Sequence, residues 1–293
     1  MINLLRRYRN SYRNWVSVLF NLGLLRKEKI KVIPRIDKRV YMVSKHTCIS
    51  YTIIISNARD KFSIKVEPDG FFKHEKIELS DKIIYLNGVS DNGDIVGVFV
   101  KEDYKFLKPE NEIVVDVGAN IGDTAIYFAF NNCKKVIALE PYPYTFEFAK
   151  INVKRNELEN SVILLNAGYG KDGEILIDES KRSTTGSDLQ TVGAGKKIKI
   201  YSLKTLVSVF ALDNALLKMD CEGCEYSILE EDISTVKKFK RIQIEYHYGY
   251  EKLYDFLKTD FKVTFTKPKK VFIKDSSNPY MKIGWIYAER KYI

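Results

Sequence analysis

The chain has 293 residues, 45% of them hydrophobic, enough to bury one sizeable catalytic domain with a smaller N-terminal element. Its formal net charge is +10, but Arg6, Arg7, Arg9, Arg13, Arg26, Lys27, Lys29 and Lys31 against Glu28 concentrate +7 in the first 31 residues. That asymmetry argues against a body-wide nucleic-acid surface and for a basic arm facing something acidic, such as a membrane or an anionic polymer. Cys48, Cys133, Cys221 and Cys224 are too few for a disulfide framework. No secretory cleavage signal and no apolar run of about 18 residues stands out, so the expectation is a soluble, cytoplasmic protein with peripheral membrane contact through residues 1–30 as an option.

Along residues 4–20, Leu4, Leu5, Tyr8, Tyr12, Trp15, Val16, Leu19 and Phe20 recur every three or four positions, predicting one amphipathic helix. It either packs on the body of the protein or lies in a bilayer surface. Residues 31–108 predict a small β-rich lead-in, with strands at Tyr51 to Ile55 and Lys82 to Leu86 and turns at Pro68-Asp69-Gly70 and Asp91-Asn92-Gly93. From 109 to 293 strands and helices alternate. Strands are expected at Ile113 to Val115, Val136 to Leu139, Val162 to Leu165, Ala215 to Met219 and Arg241 to Glu245, with helices from Ala125 to Phe130 and Phe146 to Val153. Phe261 to Thr266 and Trp285 to Ala288 close the sheet, the last antiparallel. This is the pattern of an α/β domain whose ligand lies outside the carboxyl ends of a parallel sheet.

The strongest local signal is Val115-Asp116-Val117-Gly118-Ala119-Asn120-Ile121-Gly122-Asp123, where the first of these strands passes into its helix. Glycines there suggest close approach of backbone to a ligand. Asp116 is expected to face that ligand, which favours the cationic amino group and sulfonium of S-adenosyl-L-methionine over an anionic dinucleotide pyrophosphate. Glu140, in Ala138-Leu139-Glu140-Pro141, is placed to accept both ribose hydroxyls. Asn166-Ala167-Gly168-Tyr169-Gly170 is expected as a loop bordering the adenine ring.

A second informative segment, Leu217-Lys218-Met219-Asp220-Cys221-Glu222-Gly223-Cys224-Glu225, follows the fourth strand. Together with the Asp116–Gly122 motif, Phe99-Val100-Lys101-Glu102-Asp103-Tyr104 and Ile244-Glu245-Tyr246-His247, it resembles the FkbM-type methyltransferase family over residues 95–250. The resemblance implies a Rossmann-like class I methyltransferase domain, with a mostly parallel seven-stranded sheet and helices on both faces. It also implies cofactor contacts at Asp116, Gly118, Asn120 and Glu140, with Asp220 facing the methyl-transfer cleft. The family mostly acts on hydroxyls of sugars and hydroxylated natural products. Cys221 and Cys224 stand where it usually has small apolar residues, and they fit as small buried side chains or, less simply, as a redox pair.

Methyl transfer to oxygen needs alignment and a base. His247, after the fifth strand, is the first candidate, with Asp220 and Glu222 as alternatives. Asp220, Glu222, Glu225 and Glu245 are also weighed as a hard-cation site, but salt bridges or helix capping explain them as readily, so no metal is expected. The polar segment 181–188 could act as a lid. The competing functions are an RNA methyltransferase, a non-catalytic scaffold binding S-adenosylmethionine or a glycan, and a nicotinamide-dependent reductase. Base-amine methyltransferases commonly carry Pro-Pro-Tyr segments after the fourth strand, which Met219-Asp220-Cys221-Glu222 does not resemble, so a nucleic-acid acceptor ranks second.

Overall fold

A computed structural model of the chain describes residues 2–36, 38–57, 63–66, 72–79, 82–88, 95–178, 195–272 and 280–291. The turns expected at 68–70 and 91–93 and the candidate lid at 181–188 lie outside these residues. The chain divides into two units, Met1–Asp103 and Tyr104–Ile293.

In the first unit the expected single helix is broken into Ile2–Ser11 and Trp15–Gly23. Asn14 accounts for the break. Its amide Nδ2 donates to the Lys31 carbonyl at 2.8 Å and its Oδ1 accepts from the Ile33 N–H at 2.9 Å, so the side chain docks on a strand instead of continuing the helix. Tyr8, Tyr12 and Val18 are buried, whereas Leu4, Leu5, Val16 and Phe20 are exposed, so only part of the apolar stripe packs. Tyr51 to Ile55, expected as a strand, lies inside the helix Lys45–Asn57. The Ser44 hydroxyl accepts from the Thr47 N–H at 2.9 Å and caps the first turn. Cys48, Tyr51 and Ile54 are then buried at three-residue spacing, and this packing overrides the β preference of the branched residues. The strand expected at Lys82 to Leu86 is shorter, Lys82–Ile84, and pairs antiparallel with Phe72–Leu79.

The second unit is built on β1 (Ile113–Val117), β2 (Lys135–Leu139), β3 (Val162–Leu165), β4 (Ala215–Met219), β5 (Phe239–Tyr246), β6 (Phe261–Phe265) and β7 (Tyr280–Arg290). Their order across the sheet is β6-β7-β5-β4-β1-β2-β3, and a short further strand, Lys269–Phe272, pairs with the beginning of β7. β1 to β5 run parallel, while β7 is antiparallel to both neighbours. This is the Rossmann-like arrangement implied by the sequence. The chain order reverses on either side of β1, so a crevice opens where β1 and β4 end.

Alternation along the strands sends Val115, Val117, Leu217, Met219, Ile242 and Ile244 to one face, where they pack with Leu203, Leu206, Leu253 and Leu257 from the helices Leu203–Val209 and Glu251–Leu257. Full burial of each such side chain is worth about 1.5–3 kcal/mol. The same alternation puts Asp116 and Lys218 on the opposite face, directly paired across β1 and β4.

Gly118 and Gly122 both have positive φ, +78° and +82°. A Cβ at Gly118 would lie 1.9 Å from the Asp220 carbonyl oxygen, and one at Gly122 would lie 3.3 Å from Ala149. Both glycines therefore also admit neighbouring chain, a requirement the motif alone does not announce. Gly118→Ala should destabilise the protein by about 2 kcal/mol or more, as judged by chemical denaturation; an unchanged midpoint would refute this close approach.

Candidate active site

The turn after β1 is held by its own amides. The N–H groups of Gly118 and Ala119 both donate to the Leu139 carbonyl, at 3.0 and 2.9 Å, and the Gly122 N–H donates to Ala119 at 2.7 Å. The Asn120 N–H donates to Glu140 Oε2 at 3.0 Å. A phosphate-binding loop presents free amides to the anion. Here those of 118, 119, 120 and 122 are engaged, which disfavours a dinucleotide pyrophosphate for a reason the sequence did not supply.

Glu140, at the end of β2, also accepts the Tyr142 N–H on Oε1 at 2.9 Å. Each oxygen thus takes one amide and keeps lone-pair capacity for a ribose hydroxyl. Burial pushes its carboxyl up to about 8, against the opposing effect of the two amides. Asn166 follows β3, and its Nδ2 donates to the carbonyls of Glu140 and Pro141 at 2.9 and 3.1 Å. Its Oδ1 is buried without a hydrogen-bond partner, a ready acceptor for an exocyclic amino group. Glu140, Pro141 and Asn166 are thus brought together, and their acceptors are of the kind an adenosine requires. Ala167, however, opens a short strand, Ala167–Tyr169, pairing with Lys196–Tyr201, and not a glycine-rich loop.

Asp116 requires a correction. It is fully buried, 3.0 Å from the Lys218 ammonium, and accepts from the Thr124 hydroxyl at 2.6 Å. Its charge is cancelled within the protein, so it does not supply the negative field expected to select a sulfonium. Lys218 also donates to the Gly118 carbonyl at 2.7 Å and is itself buried. Burial alone would lower its pKa, but Asp116 and then Asp220 hold it above the ordinary value. Asp220, Asp116 and Lys218 are thereby linked through the Gly118 turn.

At the ends of β4 and β5, Asp220, Glu222, Glu225, Glu245 and His247 come together. Glu225 is fully buried; it accepts the Gly223 N–H at 2.8 Å, the His247 N–H at 3.0 Å and the His247 Nδ1 at 2.9 Å. His247 Nε2 lies 3.2 Å from Glu222 Oε2 and 4.0 Å from Asp220 Oδ1. Burial alone would lower the imidazole pKa, but Glu225, Glu222 and Asp220 push it up to about 10. With both ring nitrogens facing carboxylates, His247 is not the free base the sequence suggested. Asp220 Oδ2 accepts the Tyr104 hydroxyl at 3.0 Å, and the Tyr104 ring packs edge-on against Trp285 at 5.5 Å. Burial, then Asp220, pushes the Tyr104 phenol well above its usual range, so it remains a donor. Burial and Asp220 likewise raise Glu245 to about 9.

The sequence pattern assigned no role to Lys218 or Tyr104, and it offered Glu225 as a helix cap or a hard-cation ligand, not as the partner of His247. Strand alternation could have found Lys218, because it aligns with Asp116 once β1 and β4 are placed side by side. Cys221 and Cys224 are joined as a disulfide, which replaces the expectation of two small buried thiols; Cys48 and Cys133 are free.

The methyltransferase FkbM domain profile matches residues 116–263. A tRNA(Phe) (4-demethylwyosine(37)-C(7)) aminocarboxypropyltransferase of Pyrococcus horikoshii is 30% identical over 150 residues, covering 51% of this chain and 48% of that protein. The chain thus spans about half the length of this curated relative. Among solved structures, the TYW2 protein of M. jannaschii in complex with AdoMet aligns at 18% identity with a TM-score of 0.40, covering 74% of this chain and 86% of that one. An rRNA methylase from Streptococcus thermophilus aligns at 13% identity with a TM-score of 0.42, covering 67% and 96%.

Two outcomes test this site. Asp116→Ala leaves a buried ammonium unpaired and should cost about 3–5 kcal/mol in denaturant unfolding, with most of the loss recovered in Asp116→Leu/Lys218→Met; equal stability of wild type and the single variant would contradict the pairing. For Glu140, a raised folded-state pKa means that the ligand-free protein loses stability as pH climbs from about 4.5 to about 8. Ribose hydroxyls favour the ionised form, so affinity for methylthioadenosine, which lacks a titrating amino group, should rise with pH through about 8 and flatten in Glu140→Gln. Parallel calorimetric profiles for the two proteins would remove Glu140 from the nucleoside site.

Proposed function

We propose, from the premise that the chain belongs to the methyltransferase FkbM domain family, that it methylates a hydroxyl oxygen on a sugar or small hydroxylated metabolite, with S-adenosylmethionine as donor. The observation that carries this reading is the contact between Asp220 and the Gly118 turn. Because the Asp220 backbone lies against Gly118, the carboxylates of Asp220 and Glu222 border the nucleoside crevice directly. Glu140 and Asn166 hold the adenosine end at the far side of the same turn.

When bound, S-adenosylmethionine supplies an electrophilic methyl group on a sulfonium. The protein's task is to align the acceptor hydroxyl and take its proton. Asp220 and Glu222 are half-buried, face the cleft and carry oxygens able to accept that proton. The Tyr104 hydroxyl holds Asp220 through Oδ2, while Glu245 shares a side-chain hydrogen bond with the same carboxylate. Glu225 holds His247, which in turn orients Glu222. His247 is in this account a positioning residue.

The tRNA-acting relative supports a second reading, an RNA acceptor. Against it, the carboxylates lining the cleft repel a phosphate chain, which requires cationic contacts. Incubation with methyl-tritiated S-adenosylmethionine and separate glycan, small-metabolite and RNA fractions distinguishes them. Label is expected in a hydroxylated non-nucleic fraction, with turnover reduced about 100-fold or more in Glu222→Gln and cofactor affinity retained. Label confined to RNA would favour the second reading, and transfer to none of the fractions would overturn both.

A further inference from the structure

We infer that Asp220, Glu222 and His247 form a binding site for one divalent transition-metal cation, of which Mn2+ is the representative. Each residue offers one ligand atom, and the three atoms lie within 4.8 Å of one another. His247 Nε2 is 3.2 Å from Glu222 Oε2 and 4.0 Å from Asp220 Oδ1. Ligands about 2.0–2.2 Å from a common ion stand about 3 Å apart when adjacent and about 4 Å apart when opposed, so small side-chain adjustments suffice.

Two of the atoms not offered to the ion are committed elsewhere. His247 Nδ1 is bound by the buried Glu225 at 2.9 Å, which fixes the ring and leaves Nε2 directed at the two carboxylates. A carboxylate behind a histidine is the usual support of a metal-binding imidazole, since it sets the tautomer and raises ligand basicity. Asp220 Oδ2 is held by Tyr104, and Oδ1 is the oxygen that faces His247 Nε2. Glu225 and Glu245 adjoin the trio, while the buried ammonium of Lys218 is already paired with Asp116. Half-burying several carboxylates around one imidazole is costly without additional positive charge. In the ion-bound protein, the cation takes the place of a proton on Nε2.

Two carboxylate oxygens and one imidazole nitrogen suit Mn2+ or Co2+ better than Ca2+ or Mg2+, which take nearly all-oxygen shells. Three protein ligands leave coordination positions for solvent or for an acceptor oxygen. An ion there lies beside the Gly118 turn and would lower the pKa of an acceptor hydroxyl. That role rests on the methyl-transfer reading; cation binding itself does not. The arrangement differs from the four-carboxylate site weighed on sequence, because histidine replaces Glu225 and Glu245 as the third ligand and Glu225 moves behind it.

The test is titration of the metal-stripped full chain with MnCl2 alone, followed by calorimetry and by electron paramagnetic resonance with nitrogen hyperfine detection. One ion per chain is expected, with an imidazole nitrogen coupling. Glu222→Gln and Asp220→Asn should each weaken binding at least tenfold, and His247→Ala should abolish the nitrogen coupling; Glu174→Gln, an exposed carboxylate elsewhere, should bind as wild type. Should His247→Ala fail to fold, the two carboxylate variants carry the test. No saturable Mn2+ uptake by the wild type, or equal uptake by both carboxylate variants, would overturn the site. Mn2+ uptake without methyl transfer to any fraction would leave the cation site standing and defeat the functional reading. Methyl transfer indifferent to chelators, with no Mn2+ uptake, would do the reverse.

Discussion

The buried ion pair between Asp116 and Lys218 is the constraint around which the crevice is organised. Parallel pairing of β1 and β4 puts the two residues side by side on one face of the sheet. A charge so deeply buried is tolerable only when its partner and hydrogen bonds are in place. The Lys218 ammonium also binds the carbonyls of Val117 and Gly118, and Asp116 takes the Thr124 hydroxyl, so the pair reaches both the turn and its following helix. Two residues beyond Lys218 the chain must pass over Gly118, where only glycine leaves room for the Asp220 carbonyl. One cross-strand contact thus fixes the nucleoside turn and the start of the acidic cluster together.

This constraint changes why the crevice suits its cofactor. A carboxylate facing a sulfonium is an attractive idea from the motif alone, but the charge of Asp116 is neutralised inside the protein. Discrimination against a pyrophosphate instead comes from hydrogen-bond saturation. The amides of Gly118, Ala119, Asn120 and Gly122 bind Leu139, Glu140 and Ala119, which withdraws them from an anion, while Glu140 and Asn166 offer acceptors that suit the hydroxyls and amino group of an adenosine. On the proposed reading the two carboxyl-rich regions have different tasks: Glu140 meets a neutral part of the ligand, and the Asp220 cluster borders the reacting end.

The strands and helices of the second unit were legible because fully buried β runs such as Ile113–Val117 and Ala215–Met219 alternate with helices bounded by glycine, proline and asparagine. The placement of Glu140 and Asn166 beside one another was legible because both stand at strand ends. What escaped depends on contacts between distant segments. Nothing near Asp116 announces Lys218, and nothing near His247 announces that Glu225 and Glu222 will occupy both ring nitrogens. In the first unit, local preference misled twice. The branched residues near Tyr51 read as a strand until burial of Cys48, Tyr51 and Ile54 on one helical face prevailed, and Asn14 ended a helix through bonds to a strand that periodicity cannot reveal.

The central claim is that the ends of β1, β2 and β3 form an adenosine site bordered by the Asp220 cluster. A crystal structure with S-adenosylhomocysteine tests it most directly. The account predicts both ribose hydroxyls on the Glu140 carboxylate, the adenine amino group on Asn166 Oδ1 and the sulfur beside Asp220. A nucleoside bound away from Glu140, or seated with its sulfur turned from Asp220, would contradict it.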